Sequence, residues 1–372
     1  MKVHAVNTRN AADVRAFVRL PFTLYADCEQ WTPPLVSSVK LALNRSRHPF
    51  YNHSDAAFFL AKQDGQTVGR IAVLENRRYN DYNNAKVAFF YYLDLVDDAE
   101  VAAGLIEAAA GWARERDLDT LLGPKGMLRS DPYGVLVEGF QYLTGMGLPY
   151  NYPYYARLLT GMGLEKEVDY LSGYMTGQQE LSERLFDLAE RIKQRRGFWI
   201  KSFSTKRELR SWLPDIQGVN NKAFTQVWGY YPIDEAEAQM IADQLLMVSD
   251  PRLMKVVMKG DEIAGFAFVF PDVARTLQAT GGRLWPFGWI RLLIALKRTK
   301  RLLGNGIGLL PKHQGMGASA LLYVDLHDTL RARGAEHLEI VQVMETNLKS
   351  LSDMNALGAN WHKRYRVYRL AL

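Results

Sequence analysis

Apolar positions along this chain change period many times, and the changes repeat. Residues 57–62 and 67–76 are strand-like runs joined by Gln63-Asp64-Gly65-Gln66, a spacing that predicts a hairpin. A third strand follows at 86–95, then an Ala-rich helix over 101–116 with Leu105, Ile106 and Trp112 among its apolar positions. Residues 118–122 read as a short strand, and a Gly- and Tyr-rich connection leads to about residue 153. A helix over 154–162 closed by Gly163 and a strand over 168–175 complete the series. After a junction near 176–180 the periods return. Residues 181–196 form an amphipathic helix with Leu185, Leu188 and Ile192 on one face and Lys193, Arg195 and Arg196 at its end. A strand at 198–203, helices over 207–227 and 234–248, and a hairpin of 253–258 and 263–271 come next. Strands at 304–310, 336–343 and 365–372 finish the pattern, with one helix after Gly317 and another opened by Asn347. The prediction is an α/β protein with an α+β mixed sheet, built from two copies of one unit over 1–177 and 178–372.

One stretch breaks the repeat. Residues 272–301 lie between the second hairpin and the strand that should follow it. Their centre, Leu284-Trp-Pro-Phe-Gly-Trp-Ile-Arg-Leu-Leu-Ile-Ala-Leu296, is apolar on nearly every face and then turns basic. It is too short to span a bilayer. Three roles stay open: a helix buried between the halves, a lid for a long acyl chain, or an interfacial membrane helix.

Chemistry concentrates at Gln314-Gly-Met-Gly-Ala-Ser319, where a strand should turn into a helix. Gly315 and Gly317 lack a Cβ, so consecutive backbone N–H groups can close on an anion, and the helix adds its positive end. That arrangement suits a diphosphate. At the matching turn of the first copy stand Asp97, Asp98 and Glu100, which cap a helix well and repel a diphosphate.

The order Leu309, Pro311, Gln314, Gly317, with Ser319 where Gly or Ala is usual, resembles the coenzyme A loop of the GNAT superfamily of acyl-CoA-dependent N-acyltransferases. Asn347 and Gly358 stand where that family's following helix carries Asn and Gly. The resemblance covers roughly 250–372 and implies two tandem GNAT-like acyltransferase domains, the first with a degenerate cofactor loop. It implies acetyl-CoA or a longer acyl-CoA as co-substrate, held by Leu309, Leu310, Gln314, Gly315, Met316, Gly317, Ala318, Ser319 and Asn347. The strand before the loop, 304–310, would splay from its neighbour to take the pantetheine arm, and Gly304, Gly306 and Gly308 fit a close approach there. The acceptor implied is a small primary amine or an amino-acid-like molecule. The family's usual proton-donating Tyr falls on Met354, which carries no proton to give. Tyr365 and Tyr368 are the expected substitutes, and Glu345 is a candidate base beside its simpler role at a helix entry. Two rival functions remain: a non-catalytic binding protein on this scaffold, and an acyltransferase served by acyl carrier protein.

Composition narrows the classes further. Cys28 is alone, so no disulfide framework exists within the chain, and a reducing, cytoplasmic setting is expected. The beginning, Met1-Lys-Val-His-Ala-Val6, has no hydrophobic signal core, and no 18-residue apolar run appears. The seven His residues show no metal-ligand spacing, so no metal is expected. Net charge is +6, yet residues 273–324 hold Arg275, Arg283, Arg291, Lys297, Arg298, Lys300, Arg301 and Lys312 with no Asp or Glu. That window surrounds the glycine turn and favours a polyphosphate over nucleic acid. It also suits an acidic carrier protein, and leaves peripheral membrane contact as a lesser expectation.

Overall fold

The computed structural model describes residues 1–372 except Gln226. The first half opens with β1 (Lys2–Ala5), α1 (Ala11–Leu24) and α2 (Val36–Ala42). A hairpin of β2 (Asp55–Gln63) and β3 (Gln66–Glu75) follows, then α3 (Arg77–Asn83), β4 (Val87–Leu95) and α4 (Ala99–Arg114). Strands β5 (Thr120–Gly123) and β6 (Val135–Glu138), helix α5 (Tyr154–Gly161) and strand β7 (Glu165–Thr176) end it. The second half runs α6 (Glu183–Arg196), β8 (Phe198–Ser202), α7 (Lys206–Ala223), α8 (Glu235–Val248), β9 (Met254–Lys259) and β10 (Glu262–Pro271). The insertion forms α9 (Ala274–Thr280) and α10 (Gly288–Arg298). Then come β11 (Arg301–Leu309), α11 (Ala318–Ala332), β12 (His337–Met344), α12 (Leu348–Ala356) and β13 (Asn360–Ala371).

Local chemistry sets many of these ends. Asn10, Asp98 and Thr205 each accept backbone N–H bonds at the start of α1, α4 and α7, and Asp234 with Glu237 closes a capping box on α8. Helix α7 stops at Ala223, short of the expected 227, and the expected extension across Gln226 lies outside the described residues. Strand β11 starts at Arg301 instead of 304, because Leu302 and Leu303 are buried core residues paired to β10.

The strands form one continuous sheet in the order β1-β2-β3-β4-β5-β13-β7-β12-β11-β10-β9-β8, with β6 pairing β13 off this path. The order reads the same from either end once β1–β5 are matched to β8–β12 and β7 to β13. In each half one parallel pair, β4 with β5 or β11 with β12, follows the antiparallel strands. The last strand of each half crosses to the other: β7 pairs β12, while β13 pairs β5. The expected break at 177/178 falls in the turn after β7, but the sheet does not part there. Helices cover both faces, and each half carries two cores, one on each side.

Two buried ionic groups tie the crossing. Lys363 on β13 donates to Glu339 on β12 at 2.7 Å, with both side chains essentially inaccessible to solvent. Asp169 on β7 accepts from Arg366 Nε at 2.8 Å and Nη2 at 2.9 Å, and from Arg364 at 3.3 Å. Burial pushes the Asp169 carboxyl up, but Arg366 and Lys166 outweigh it and hold it below the ordinary range.

Candidate active site

Strands β11 and β12 stay paired only from Arg301–His337 to Gly304–Ile340. Beyond that point each strand carries an irregularity against its outer neighbour. On β11, Asn305 and Gly306 form a bulge against β10. On β12, the register against β7 slips between Ile340 and Val343, where Gln342 has φ 43°. Bulges bend the strands that carry them, and here the two strands diverge beyond them. Gln342 is held in its left-handed conformation by Tyr133, whose backbone N–H it accepts at 3.0 Å and whose carbonyl it donates to at 2.6 Å.

The divergence opens into a cleft of about 230 Å³. Ile307 and Val343 form its two strand walls, Leu326, Leu330 and Met354 its helical roof, and Phe224, Val227 and Phe268 another side. Its lining is mostly hydrocarbon, so the cleft favours an extended apolar chain by burial.

The turn from β11 into α11 has the glycine conformation that the sequence leads one to expect. Gly315 and Gly317 have φ 72° and 82°, a region open to glycine, and Gly317 stands at the N-cap of α11 without a side-chain cap. Among the described residues, no acceptor takes the backbone N–H groups of Gly315, Met316, Gly317, Ala318 or Ser319. A row of free amides at a positive helix end fits a diphosphate. Gly317 also packs on α6, where an added Cβ would meet Ile192 Cδ1 at 2.8 Å. Leu309 and Leu310 frame the loop instead of facing an anion: Leu309 is paired to Gly265, and the Leu310 amide donates to the Ala264 carbonyl. Gln314 donates to the Leu309 carbonyl at 3.3 Å, and Asn347 lines the cleft while capping α12.

The cations beside this loop are not those that sequence spacing suggested. Lys312 pairs with Glu262 at 2.6 Å, Lys300 with Glu336 at 2.6 Å and Arg301 with Asp272 at 3.4 Å. His313 turns away as well, its Nε2 3.2 Å from Glu262. The groups at the loop are Arg196, which donates to the Met316 carbonyl at 2.9 Å, and Lys349, 3.3 Å from Gln314 Oε1. Both come from other elements, so no spacing along the loop announces them.

The expected catalytic residues do not gather at the cleft. Tyr365 and Tyr368 are buried in two cores of the first half, because β13 has crossed to pair with β5. Neither lines the cleft, and burial pushes both phenols up. Glu345 is occupied elsewhere, accepting from the Asp169 amide at 3.0 Å and from Lys166 at 2.8 Å. Instead the cleft holds two other tyrosines. Tyr323, on α11, donates to Asp353 at 2.9 Å, one residue from Met354, and burial followed by Asp353 pushes its phenol up. Tyr170, on β7, is stacked on Tyr133 at 4.7 Å, and its hydroxyl has no partner among the described residues. Tyr323, Leu326, His327 and Leu330 recur at helical spacing after the loop, a signal readable in the chain.

The first half has the same turn with opposite chemistry. Asp98 accepts from the Glu100 amide at 2.8 Å and the Val101 amide at 3.3 Å, so a carboxylate already occupies that helix end. Between the halves, His53 Nε2 lies 3.8 Å from Asp234 and 3.6 Å from Glu237, a grouping of cation-ligand types. Both carboxylates also serve the α8 capping box, which accounts for their placement.

No family profile matches the chain. Protein YghO of Escherichia coli (strain K12) is 27% identical over 366 residues, covering 96% of this chain and 93% of its own. The bacterial ceramide synthase of Caulobacter vibrioides is 26% identical over 383 residues, covering 99% and 97%. Among solved structures, a tandem GNAT protein from the clavulanic acid biosynthesis pathway superposes with a TM-score of 0.57 at 13% identity, covering 100% of this chain and 98% of its own. A GCN5-related N-acetyltransferase from Sphaerobacter thermophilus gives 0.52 at 16% identity, covering 100% and 95%. The chain has the tandem GNAT fold.

Proposed function

We propose that this tandem GNAT-fold protein transfers a long acyl group from coenzyme A to the primary amine of an amphipathic, long-chain acceptor, using the second half alone for the cofactor. One observation carries the proposal: the gap between β11 and β12 leads from free loop amides into a cleft lined mostly by hydrocarbon. The loop amides, with Arg196 and Lys349, would hold the diphosphate of the co-substrate. The strand edges freed by the splay would pair with its pantetheine arm, and the cleft would take its acyl chain. The long-chain acceptor is supported by the relative named as a ceramide synthase, since ceramide is the N-acyl derivative of a long-chain amino alcohol.

In this reaction a neutral amine attacks the thioester carbonyl, the C–N bond forms, and the C–S bond breaks. The amine loses one proton and the departing thiolate gains one. We assign that donation to Tyr323, whose side chain lines the cleft and stays protonated at neutral pH, and the proton lost by the amine passes through solvent to restore the phenol. Asp353 orients it. Release of free thiol should be followed with palmitoyl-CoA, acetyl-CoA and palmitoyl-acyl carrier protein, each offered to a long-chain 2-amino alcohol and to a short amine. The proposal expects turnover with palmitoyl-CoA and the long-chain acceptor. Turnover confined to acetyl-CoA with short amines would refute the long-chain assignment, and binding without turnover would leave a non-catalytic scaffold.

A further inference from the structure

We infer that α10 and the turn before it form a docking ridge that seats the protein on an anionic lipid surface. Helix α10 buries only an inner stripe, Leu292 and Leu296, with Ala295 half-buried, against Val273 and Leu277. Its outer arc exposes Trp289, Ile290, Leu293 and Ile294 at 40–50%. The preceding turn lifts Trp285 and Phe287 further, to 83% and 72% exposure. Six large apolar groups in ten residues form a continuous ridge, unlike the scattered exposed side chains of an ordinary surface.

Charge selects the occupant. Arg291 and Arg298, seven residues apart, line one edge of the helix, with Arg283 before the ridge and Lys297 at its end. Among the described residues none of these four has an ion-pair partner, whereas Lys300, Arg301 and Lys312 from the same basic stretch are all paired. Free cations bordering tryptophan, phenylalanine and isoleucine match a layer of anionic headgroups above acyl chains. An acidic protein partner would complement the cations but leave the apolar arc facing charge. A second copy of this chain would set the same cations against each other.

The ridge is joined to the cleft. Arg333, three residues after the cleft-lining Leu330, donates to the Leu296 carbonyl of α10 at 2.6 Å. Strand β11 begins three residues beyond the helix and carries Gly304 and Ile307 into the cleft wall. Among the described residues no helix is long and apolar enough to cross a membrane, so the attachment is peripheral.

Sedimentation with vesicles tests this without any turnover, and so independently of the acyl-transfer reading. The full-length protein should co-sediment with phosphatidylglycerol–phosphatidylcholine vesicles far better than with phosphatidylcholine alone, and added salt should weaken it. Trp285→Ser with Phe287→Ser should lower partitioning more than about tenfold, since both substitutions remove a large apolar side chain from contact with the acyl chains. Arg291→Glu with Arg298→Glu should abolish the preference for anionic vesicles. Both double variants alter exposed positions, so their thermal unfolding should match the parent protein. Equal sedimentation of parent and variants, or none by the parent, would overturn the proposal. So would a dimer in light scattering that Trp285→Ser with Phe287→Ser converts to a monomer.

Discussion

Single side chains separate this site from the pattern its sequence suggests. The proposed diphosphate loop is readable residue by residue, because Gly315 and Gly317 bring their conformations with them wherever the turn occurs. The proposed proton donor is not readable that way. Met354 removes the usual hydroxyl, and Tyr323, one helix away, places another against Asp353 beside it. Sequence order puts Tyr365 and Tyr368 near the loop, but only the path of β13 shows that their rings serve the first half's cores. Tyr323→Phe should lower kcat by roughly 10²-fold or more while leaving KM for acyl-CoA nearly unchanged. Steady-state kinetics of the purified variant decides it, and an unchanged kcat would assign the proton to solvent. Asp353→Asn, which keeps a hydrogen-bond acceptor, should retain most of the activity.

Elements were legible wherever local chemistry fixes them. The hairpins, α4, α6 and the strands flanking the loop lie within a few residues of their expected positions. What pattern reading leaves out follows from packing at a distance. Strand β6 has four residues and exists because β13 offers it an edge. Helix α1 carries Pro21 in its interior, which obscures a helical reading of that stretch. Helix α10, for which composition leaves a buried, a lid and an interfacial role open, presents its outer arc to solvent. A buried charge pair that no local pattern reveals links β13 to β12 across the exchange. Lys363→Met would strand Glu339 in the interior and should cost about 3–5 kcal/mol of unfolding free energy. Adding Glu339→Leu should recover most of that loss, because it removes the unpaired charge as well. Denaturant titration of both variants measures the difference, and a double variant as unstable as the single one would contradict the account.

At the scale of the whole molecule, two halves share a plan and differ in what their matching turns can hold. In the first, Asp98 fills the helix end with a carboxylate of the chain's own. In the second, the amides from Gly315 to Ser319 stay free above a splayed, apolar gap. The duplication itself is visible in the repeated periods of the chain, but the shared sheet is not, because it arises from pairing between residues nearly two hundred positions apart. The central claim is therefore a count and a place: one diphosphate per chain, at the second turn. Ser319→Asp tests both, since an acidic residue in the first turn of α11 favours the helix by about 0.3–1 kcal/mol while repelling the ligand. Titration calorimetry with coenzyme A should give one site in the parent protein and none in the variant, with thermal stability equal or higher. Undiminished binding in the variant, or two equivalent sites in the parent, would contradict the account.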